Sequence, residues 1–362
     1  MAGLGKRLRR TVTLLLATVL AVATLAGCSE TKVTQARISL PVREGRVLAL
    51  VDPNATHPPG TPSLAQALTA ALPQAEVVPT ATHDDQAARV RGAADQGVAI
   101  LLVQSVDGAR IGSALEAAAD TDMLVVALDV IPEDLGGIDL FLGWNEFSIG
   151  EQEIAAFARA VDARPGQTKY LELFAGDEDD PRAMARFNGS MFALKAFTEA
   201  GTLSVKSGRT AFGTAATSPG DSDSVRKALD TTYQATYPRH PLHGVVIGTD
   251  ELAPVVAEVA ANHDQTPPLL MSSGATTEGI RLVMAGAMLT TQYRDPAALA
   301  ARVAQTVADL QAGRQVTVNP QAGRRNRLKR KPAILISPVL VSAENAATVL
   351  AANPTLAPLT KV

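Results

Sequence analysis

Residues 97–108 read GVAILLVQSVDG, and this stretch decides the fold class. Val98–Val103 is a run of six apolar residues, a pattern typical of a parallel strand that is buried on both faces. A second such run, MLVVAL, lies at residues 123–128, and the Ala-rich residues 109–119 between the two are predicted to be helical. Strand, helix and strand in this order predict a doubly wound parallel sheet.

The same alternation extends along the rest of the chain. Further strands are predicted at 46–51, 169–174, 203–206, 244–247, 269–272 and 288–292, and a final apolar run lies at 333–341. Helices are predicted at 63–72, 184–200, 222–236, 252–262, 277–285 and 296–312. So many strand–helix units exceed one open sheet, and a chain of 362 residues is long enough for two cores. We therefore predict an α/β protein with two doubly wound parallel-sheet lobes.

The composition excludes several classes of function. Hydrophobic residues make up 46% and charged residues 19% of the chain, as in globular proteins. The single cysteine, Cys28, excludes a disulfide scaffold and a thiolate zinc site. A net charge of −3 gives no reason to expect a nucleic-acid partner. The five histidines form no metal-binding pattern, and no phosphate-binding loop or nucleophile motif is present, so we expect neither catalysis, nor a cofactor, nor a metal.

The N-terminus has the pattern of an export signal. Four basic residues within residues 1–10 precede an apolar run at 11–25, which is shorter than the ~20 residues of a membrane-spanning helix. Residues 25–28, LAGC, resemble the bacterial lipobox, in which the cysteine is acylated and becomes the first residue of the mature protein. We predict a lipoprotein signal peptide at 1–27, a lipid anchor on Cys28 that holds the protein to the outer face of the membrane, and a polar tether at 28–44. The alternative is an uncleaved anchor helix, which the small residues before Cys28 disfavour.

Candidate site residues follow the predicted strands, because ligands of doubly wound sheets bind beyond the carboxyl ends of the strands. An isolated Asp at such a position is more often a helix cap, and Asp107 and Asp250 both fit that alternative. The positions concerned are Asp52, 104–107, Asp129, 177–182, 249–250, 272–274 and 293–294.

Four stretches, in order, resemble conserved motifs of one family. They are GVAILLVQSVDG at 97–108, LELFAGDEDDPRAMARFNG at 171–189, LTTQYRD at 289–295 and KPAILISPVLVSAEN at 331–345. Together they resemble the type I periplasmic sugar-binding proteins, closest to the multiple-sugar and xylose receptors of ABC importers.

The resemblance implies two lobes that close around a sugar and present a surface to an ABC permease or a sensor kinase. The chain would cross the hinge near residues 143–144, near Arg294, and between 315 and 332. The first lobe would comprise 45–143 plus 295–314 and the second 144–294 plus 332–362, with a basic hinge segment at 315–331.

The positions that correspond to the family's ligand residues are only partly retained. Asp129 and the carboxylate of Asp250 are kept, whereas Pro181-Arg182 replaces an Asn pair and Arg294 replaces a lysine. Further departures are Val130 for an arginine, Thr249 for an asparagine, Gly274 for an aspartate, and a loop at 52–56 without an aromatic ring. The predicted ligand-binding residues are Asp107, Asp129, Trp144, Arg182, Asp250 and Arg294.

Two alternatives for the ligand follow from these changes. Arg182 and Arg294, together with Arg186, favour an acidic sugar or another anion, since guanidinium groups suit carboxylates and phosphates. Alternatively, Arg182 and Arg186 pair with the acidic residues at 177–180 in a surface network. The lost site residues also leave open a sensory or interaction lipoprotein that binds a membrane partner without a classical sugar site.

Two further features lie near the predicted hinge. Trp144, the only tryptophan, is more consistent with packing between the lobes than with a platform for a sugar ring. Residues 324–331, RRNRLKRK, are consistent with contact to anionic lipid or wall polymer, or with a solvated hairpin.

Overall fold

Two six-stranded sheets organise the chain. The computed structural model describes residues 36–361 except 109, 131, 133–135, 218–221 and 320–330. The predicted signal peptide, Cys28, the start of the tether and the basic run other than Lys331 lie outside the described residues.

The strands and helices follow the predicted alternation. The strands are β1 (Ala36–Ile38), β2 (Arg46–Val51), β3 (Ala75–Pro79), β4 (Val98–Val103), β5 (Leu124–Asp129), β6 (Leu140–Trp144), β7 (Lys169–Leu173), β8 (Leu203–Ser204), β9 (Gly244–Val246), β10 (Leu269–Ser273), β11 (Met288–Tyr293), β12 (Val316–Val318), β13 (Ala333–Ile336) and β14 (Val339–Val341). The helices are α1 (Leu64–Ala71), α2 (His83–Gly92), α3 (Gly112–Ala119), α4 (Glu146–Ala160), α5 (Pro181–Glu199), α6 (Phe212–Ala215), α7 (Ser222–Thr236), α8 (Ala253–Asn262), α9 (Thr277–Met284), α10 (Pro296–Gln311) and α11 (Ala346–Val349).

Both sheets have the doubly wound strand order. The first runs β13-β6-β5-β4-β2-β3 with every pair parallel, and the second runs β14-β11-β10-β9-β7-β8 with only β14 antiparallel. In each lobe the direction of winding reverses beside the first strand, between β2 and β4 and between β7 and β9. Ligands of such sheets bind at this switch point, beyond the carboxyl ends of the strands.

The continuous apolar run of β4 is explained by helices on both faces of the first sheet. Ile100 and Leu102 belong to one buried cluster, and Leu101 and Val103 belong to a second cluster on the opposite face. Successive side chains of a strand point to opposite faces, so a strand that is covered on both sides needs apolar residues throughout.

Helices α4 and α5 of the second lobe pack closely through two glycines. A Cβ atom on Gly150 would lie 2.0 Å from the backbone oxygen of Arg186, and one on Gly189 would lie 1.9 Å from that of Phe147. These contacts fix the start of α4, which follows directly from β6 and carries Glu146 as its first residue.

The chain crosses between the lobes at three places, all at the carboxyl ends of strands. The first follows β6, which ends at Trp144, and the second follows β11, which ends at Tyr293. The third lies at residues 337–338, after β13, and not between 315 and 332. Residues 333–341 are therefore two strands and not one: β13 pairs with β6 in the first sheet, and β14 pairs with β11 in the second. Ser337 and Pro338 separate them, and proline has no N–H for a sheet hydrogen bond.

The segments at 28–44 and 315–331 also differ from expectation where the structure describes them. β1, within the predicted tether, pairs antiparallel with β12, within the predicted hinge segment. Val316 and Val318 are buried in the first-lobe core, and Ile38 packs against the same cluster. Both segments thus belong to the first lobe, because their apolar residues pack in its core. Within the described residues, no helix combines the length and apolar character needed to cross a membrane.

Candidate functional site

Two buried glutamines join the loops at the carboxyl edge of the first sheet. Gln104, directly after β4, accepts a hydrogen bond from the backbone N–H of Asp52 at 3.2 Å, so it bridges the switch point between β2 and β4. Its amide group also donates to Asp129 Oδ2 at 2.9 Å, at the end of β5. Gln86 donates to the backbone oxygen of Gln104 and accepts from the N–H of Val106. The ends of β2, β4 and β5 are therefore held as one unit.

Asp129 occupies a strained backbone position. Its φ is +59°, in the left-handed region, and the N–H of Val130 donates to the oxygen of Leu128 at 2.6 Å. A three-residue turn of this kind is rare, and strain of this sort concentrates at functional sites. The turn places the carboxylate at the edge of the sheet, where Oδ1 has no partner among the described residues.

A buried hydroxyl lies beside this edge. Ser105 is 7% exposed, and its Oγ has no hydrogen-bond partner within the described part of the chain. A buried polar group without a partner is costly, so this hydroxyl is an unusual feature of the segment that follows β4.

The second lobe contributes a buried ion pair at the hinge. Arg294, which follows β11, donates from Nε to Glu146 Oε1 at 2.8 Å and from Nη2 to Oε2 at 2.9 Å. Gln292 donates to the same Oε2 at 2.8 Å, and Arg294 Nη1 donates to Ser273 Oγ at 3.2 Å. A fork of two parallel hydrogen bonds is the strongest geometry for such a pair.

The pKa shifts of the two partners favour the charged form of the pair. Burial disfavours the Glu146 carboxylate, but the charge of Arg294 and the hydrogen bonds from Arg294 and Gln292 outweigh it and hold the pKa of Glu146 below its usual range. Burial likewise opposes the Arg294 guanidinium, yet Glu146 keeps the pKa of Arg294 above its usual range. The position of Glu146 at the N-terminus of α4 adds to this, since the helix dipole favours an anion there.

Charges from both lobes converge on this pair. Asp129 of the first lobe and Asp180 of the second both act electrostatically on Arg294, and Arg182 acts on Glu146. Arg182 lies 3.5 Å from Asp180, the residue that caps α5. We call these five residues, Asp129, Glu146, Asp180, Arg182 and Arg294, the charge cluster.

Comparison with known proteins identifies the class of the molecule. A family model described as "Periplasmic binding protein domain" matches residues 63–315. The chain belongs to the periplasmic binding protein family. The two-lobe fold predicted from the sequence is thereby confirmed, and so is the resemblance on which the hinge was predicted.

Two curated relatives of this binding protein are sugar receptors. The chain is 24% identical over 274 residues to the multiple sugar-binding periplasmic receptor ChvE of Rhizobium radiobacter, covering 74% of this chain and 77% of that protein. It is also 24% identical over 269 residues to the multiple sugar-binding periplasmic protein SbpA of Azospirillum brasilense, covering 72% and 74%.

Solved structures show the same fold. A solute-binding protein of an ABC transporter from Clostridium phytofermentans, with β-D-glucose bound, is 19% identical with a TM-score of 0.68, covering 87% of this chain and 100% of that one. A carbohydrate-transporter solute-binding protein from Chloroflexus aurantiacus, in complex with D-glucose, is 19% identical with a TM-score of 0.65, covering 85% and 96%.

Three of the predicted ligand residues of this binding protein, Asp129, Arg182 and Arg294, come together in the charge cluster. Asp250 does not present its carboxylate to the cleft. It is 1% exposed and accepts from Thr276 N at 2.8 Å, Thr276 Oγ1 at 3.0 Å and Thr291 Oγ1 at 2.7 Å. Burial raises the pKa of Asp250, against hydrogen bonds from these groups that lower it. A Cβ on Gly279 would lie 2.0 Å from Oδ2, so Asp250 holds the start of α9 to the sheet.

Arg186 is also a scaffold residue. It is 5% exposed and donates to both carboxylate oxygens of Glu153, at 2.8 and 2.6 Å, and to the backbone oxygen of Ile247. The hypothesis that it converges with Arg182 and Arg294 on an anion is therefore wrong. The surface-network alternative holds for Arg182, which pairs with Asp180, but not for Arg186, whose partner lies on α4.

The remaining two candidates do not belong to the charge cluster. Asp107 accepts from the N–H of Arg110 at 3.1 Å in the turn before α3, but the N-cap of α3 is Ile111 and not Asp107. Trp144 is 8% exposed at the end of β6 and packs in the first-lobe core, directly before the first crossing. Among the described residues, no group of three or more His, Cys, Asp or Glu side chains could hold a metal ion.

Glu146 and Gln292 were not identified from the sequence. Their mutual contact spans 146 positions, and Gln292 lies inside a strand and not after one. The available signal was the one charged residue in a stretch that is otherwise uncharged and mostly apolar, FLGWNEFSIG at 141–150.

Proposed function

We propose that this protein is an exported solute receptor that captures a sugar or sugar-like polyol between its lobes for an ABC importer. The observation that carries this proposal is the charge cluster itself, in which Asp129 at the edge of the first sheet and Asp180 of the second lobe both act on Arg294. Carboxylate, amide and guanidinium groups at one cleft are suited to binding several hydroxyls at fixed directions. The sugar-receptor names of the two curated relatives support the same ligand class.

Thermal unfolding with a panel of ligands tests the capture of a sugar. We expect one or more of D-glucose, D-galactose, D-xylose, L-arabinose and myo-inositol to raise the melting temperature of the full-length protein by several degrees. Binding at 100 times Kd adds about 2.7 kcal/mol to the free energy of unfolding. Because the full-length protein is expected to carry a lipid anchor, it is measured in detergent, and the detergent must lack a sugar headgroup that could itself bind. Trp144 fluorescence, recorded in parallel, should change with closure because this residue adjoins the first hinge crossing.

If no ligand of this panel changed the melting temperature of a well-folded protein, the result would contradict sugar capture. It would favour a lipoprotein that contacts a membrane partner through the same fold.

We further propose that Cys28 carries the lipid anchor. Its support is the sequence of residues 1–28, and with β1 starting at Ala36, only residues 29–35 would separate the anchor from the first lobe. We expect labelled palmitate to be incorporated into the protein when it is expressed in a bacterial host, and the label to be lost in Cys28→Ser. Equal labelling of both proteins would contradict this site of attachment.

A further inference from the structure

The buried pair of Glu146 and Arg294 lies close enough to the surface to interact electrostatically with a charged ligand. Glu146 is 4% exposed, whereas the Arg294 side chain is 23% exposed and is therefore accessible to a ligand. Three of the five N–H groups of the guanidinium donate to Glu146 and Ser273. The other two have no partner among the described residues and remain available to a hydroxyl.

Glu146 neutralises the charge of Arg294, and the rest of the charge cluster does not add a positive charge in its place. Arg182 lies beside Asp180, and its backbone N–H donates to the same carboxylate. Asp129 has only the neutral amide of Gln104 as a partner within the described residues. The charge cluster thus holds three carboxylates and two guanidinium groups, an excess of one negative charge that belongs to Asp129.

An anionic ligand would therefore meet two unfavourable effects. The Nε/Nη2 edge of Arg294, one of the two guanidinium edges that can bind a carboxylate with two hydrogen bonds, is already occupied by Glu146. The Asp129 carboxylate would also repel the ligand, and such repulsion is strong in a cleft that excludes water. An uncharged hydroxyl meets neither effect, because it donates to Asp129 and accepts from the remaining N–H groups of Arg294.

We propose that Glu146 sets the charge selectivity of the cleft: by occupying Arg294 it excludes acidic sugars and leaves a site for uncharged ones. This inference rests on the proposed function. Glu146 acts through Arg294 and is a positioning residue. The same geometry argues against the acidic-sugar interpretation of Arg182 and Arg294, because each guanidinium already has a carboxylate partner.

The test compares sugar pairs that differ only at C6, D-glucose with D-glucuronate and D-galactose with D-galacturonate. Dissociation constants are measured for the full-length wild type and for Glu146→Gln. We expect the wild type to bind the neutral member of a pair at least tenfold more tightly. In Glu146→Gln the ratio of affinities should move at least tenfold towards the acid, because the amide leaves the charge of Arg294 uncompensated.

Glu153→Gln is the matched control. Glu153 lies on the same helix, is fully buried and forms the same bidentate pair with an arginine, but its partner Arg186 is buried in the second lobe. We expect Glu153→Gln to lower stability without moving the ratio of affinities. If the loss of a buried charge alone were responsible, the ratio of affinities would change equally in Glu146→Gln and Glu153→Gln, and that result would overturn the proposal.

The wild type provides a measurement that does not depend on the folding of any variant. Equal affinity for glucose and glucuronate would overturn the selectivity while leaving sugar capture intact. Preference for the neutral sugar in the wild type with no change of ratio in folded Glu146→Gln would overturn the role of Glu146 alone. No binding of any of the four sugars by either protein would overturn this inference, and it would overturn the proposed function as well only if xylose, arabinose and myo-inositol also failed to bind.

Discussion

Asp129→Ala should reduce the affinity for the best sugar of the panel by at least 100-fold. The carboxylate is the cluster's one charge without a cationic partner in the described structure, and a strained turn holds it at the sheet edge. Hydrogen bonds from a ligand to a charged group contribute about 1.5–3 kcal/mol each, and a loss of 1.4 kcal/mol is tenfold in affinity. Loss of two such bonds therefore exceeds 100-fold. Isothermal titration of both proteins measures the change.

Asp162→Ala is the control for the backbone conformation. Asp162 also has a positive φ, +50°, but it is exposed and follows the far end of α4, about 22 Å from Glu146 along the helix. Both substitutions place alanine in the left-handed region, so both should lose a similar small amount of stability. A similar loss of affinity in both, or wild-type affinity in Asp129→Ala, would show that Asp129 does not contact the ligand.

The strand edges could be predicted because each depends on local sequence. Continuous apolar runs identify the buried strands, and the carboxyl ends of parallel strands share one edge of a sheet. Asp129 and Gln104 were placed at this edge by that reasoning alone, and the structure joins them by a hydrogen bond. Arg294 was placed near a crossing by its motif, and it directly follows β11, which belongs to the second sheet.

The direction of a side chain could not be predicted in the same way. Asp250 also follows a strand, yet its carboxylate turns inward to three donors that come from residues 276 and 291. Arg186 lies one turn after Arg182 on α5 and therefore shares its approximate face, but it meets Glu153 on a neighbouring helix. In both cases the deciding partner is distant in the sequence, and hydrophobic periodicity carries no information about it.

The third crossing was misplaced for a different reason. The two strands β13 and β14 are separated by only two residues, so their apolar runs merge into one in the sequence. β12 is a three-residue strand whose partner, β1, lies about 280 residues earlier. Short strands at sheet edges give little periodicity, and only the completed fold shows which lobe they join.

Arg186→Met should destabilise the protein by about 3–5 kcal/mol, the usual cost of removing one partner from a buried ion pair. Glu153 would remain fully buried without its cation, and the backbone oxygen of Ile247 would lose its donor. Urea denaturation of both proteins measures the difference. Ligand affinity of the folded variant should stay within threefold of wild type, since Arg186 does not belong to the charge cluster.

The double variant Arg186→Met/Glu153→Gln separates an uncompensated charge from lost packing. If the charge dominates, the double variant is more stable than Arg186→Met, although the unpaired Ile247 oxygen prevents full recovery.

Burial already raises the pKa of Glu153, against Arg186, which lowers it, and removal of Arg186 raises it further. A carboxyl whose pKa is higher in the folded than in the unfolded state penalises folding above that pKa, and the penalty disappears as the pH falls. The deficit of Arg186→Met relative to wild type should therefore shrink on acidification, whereas the deficit of the double variant should not. If the stability deficit of both variants were constant with pH, the loss of stability would come from packing, and the charge of Glu153 would not contribute to it.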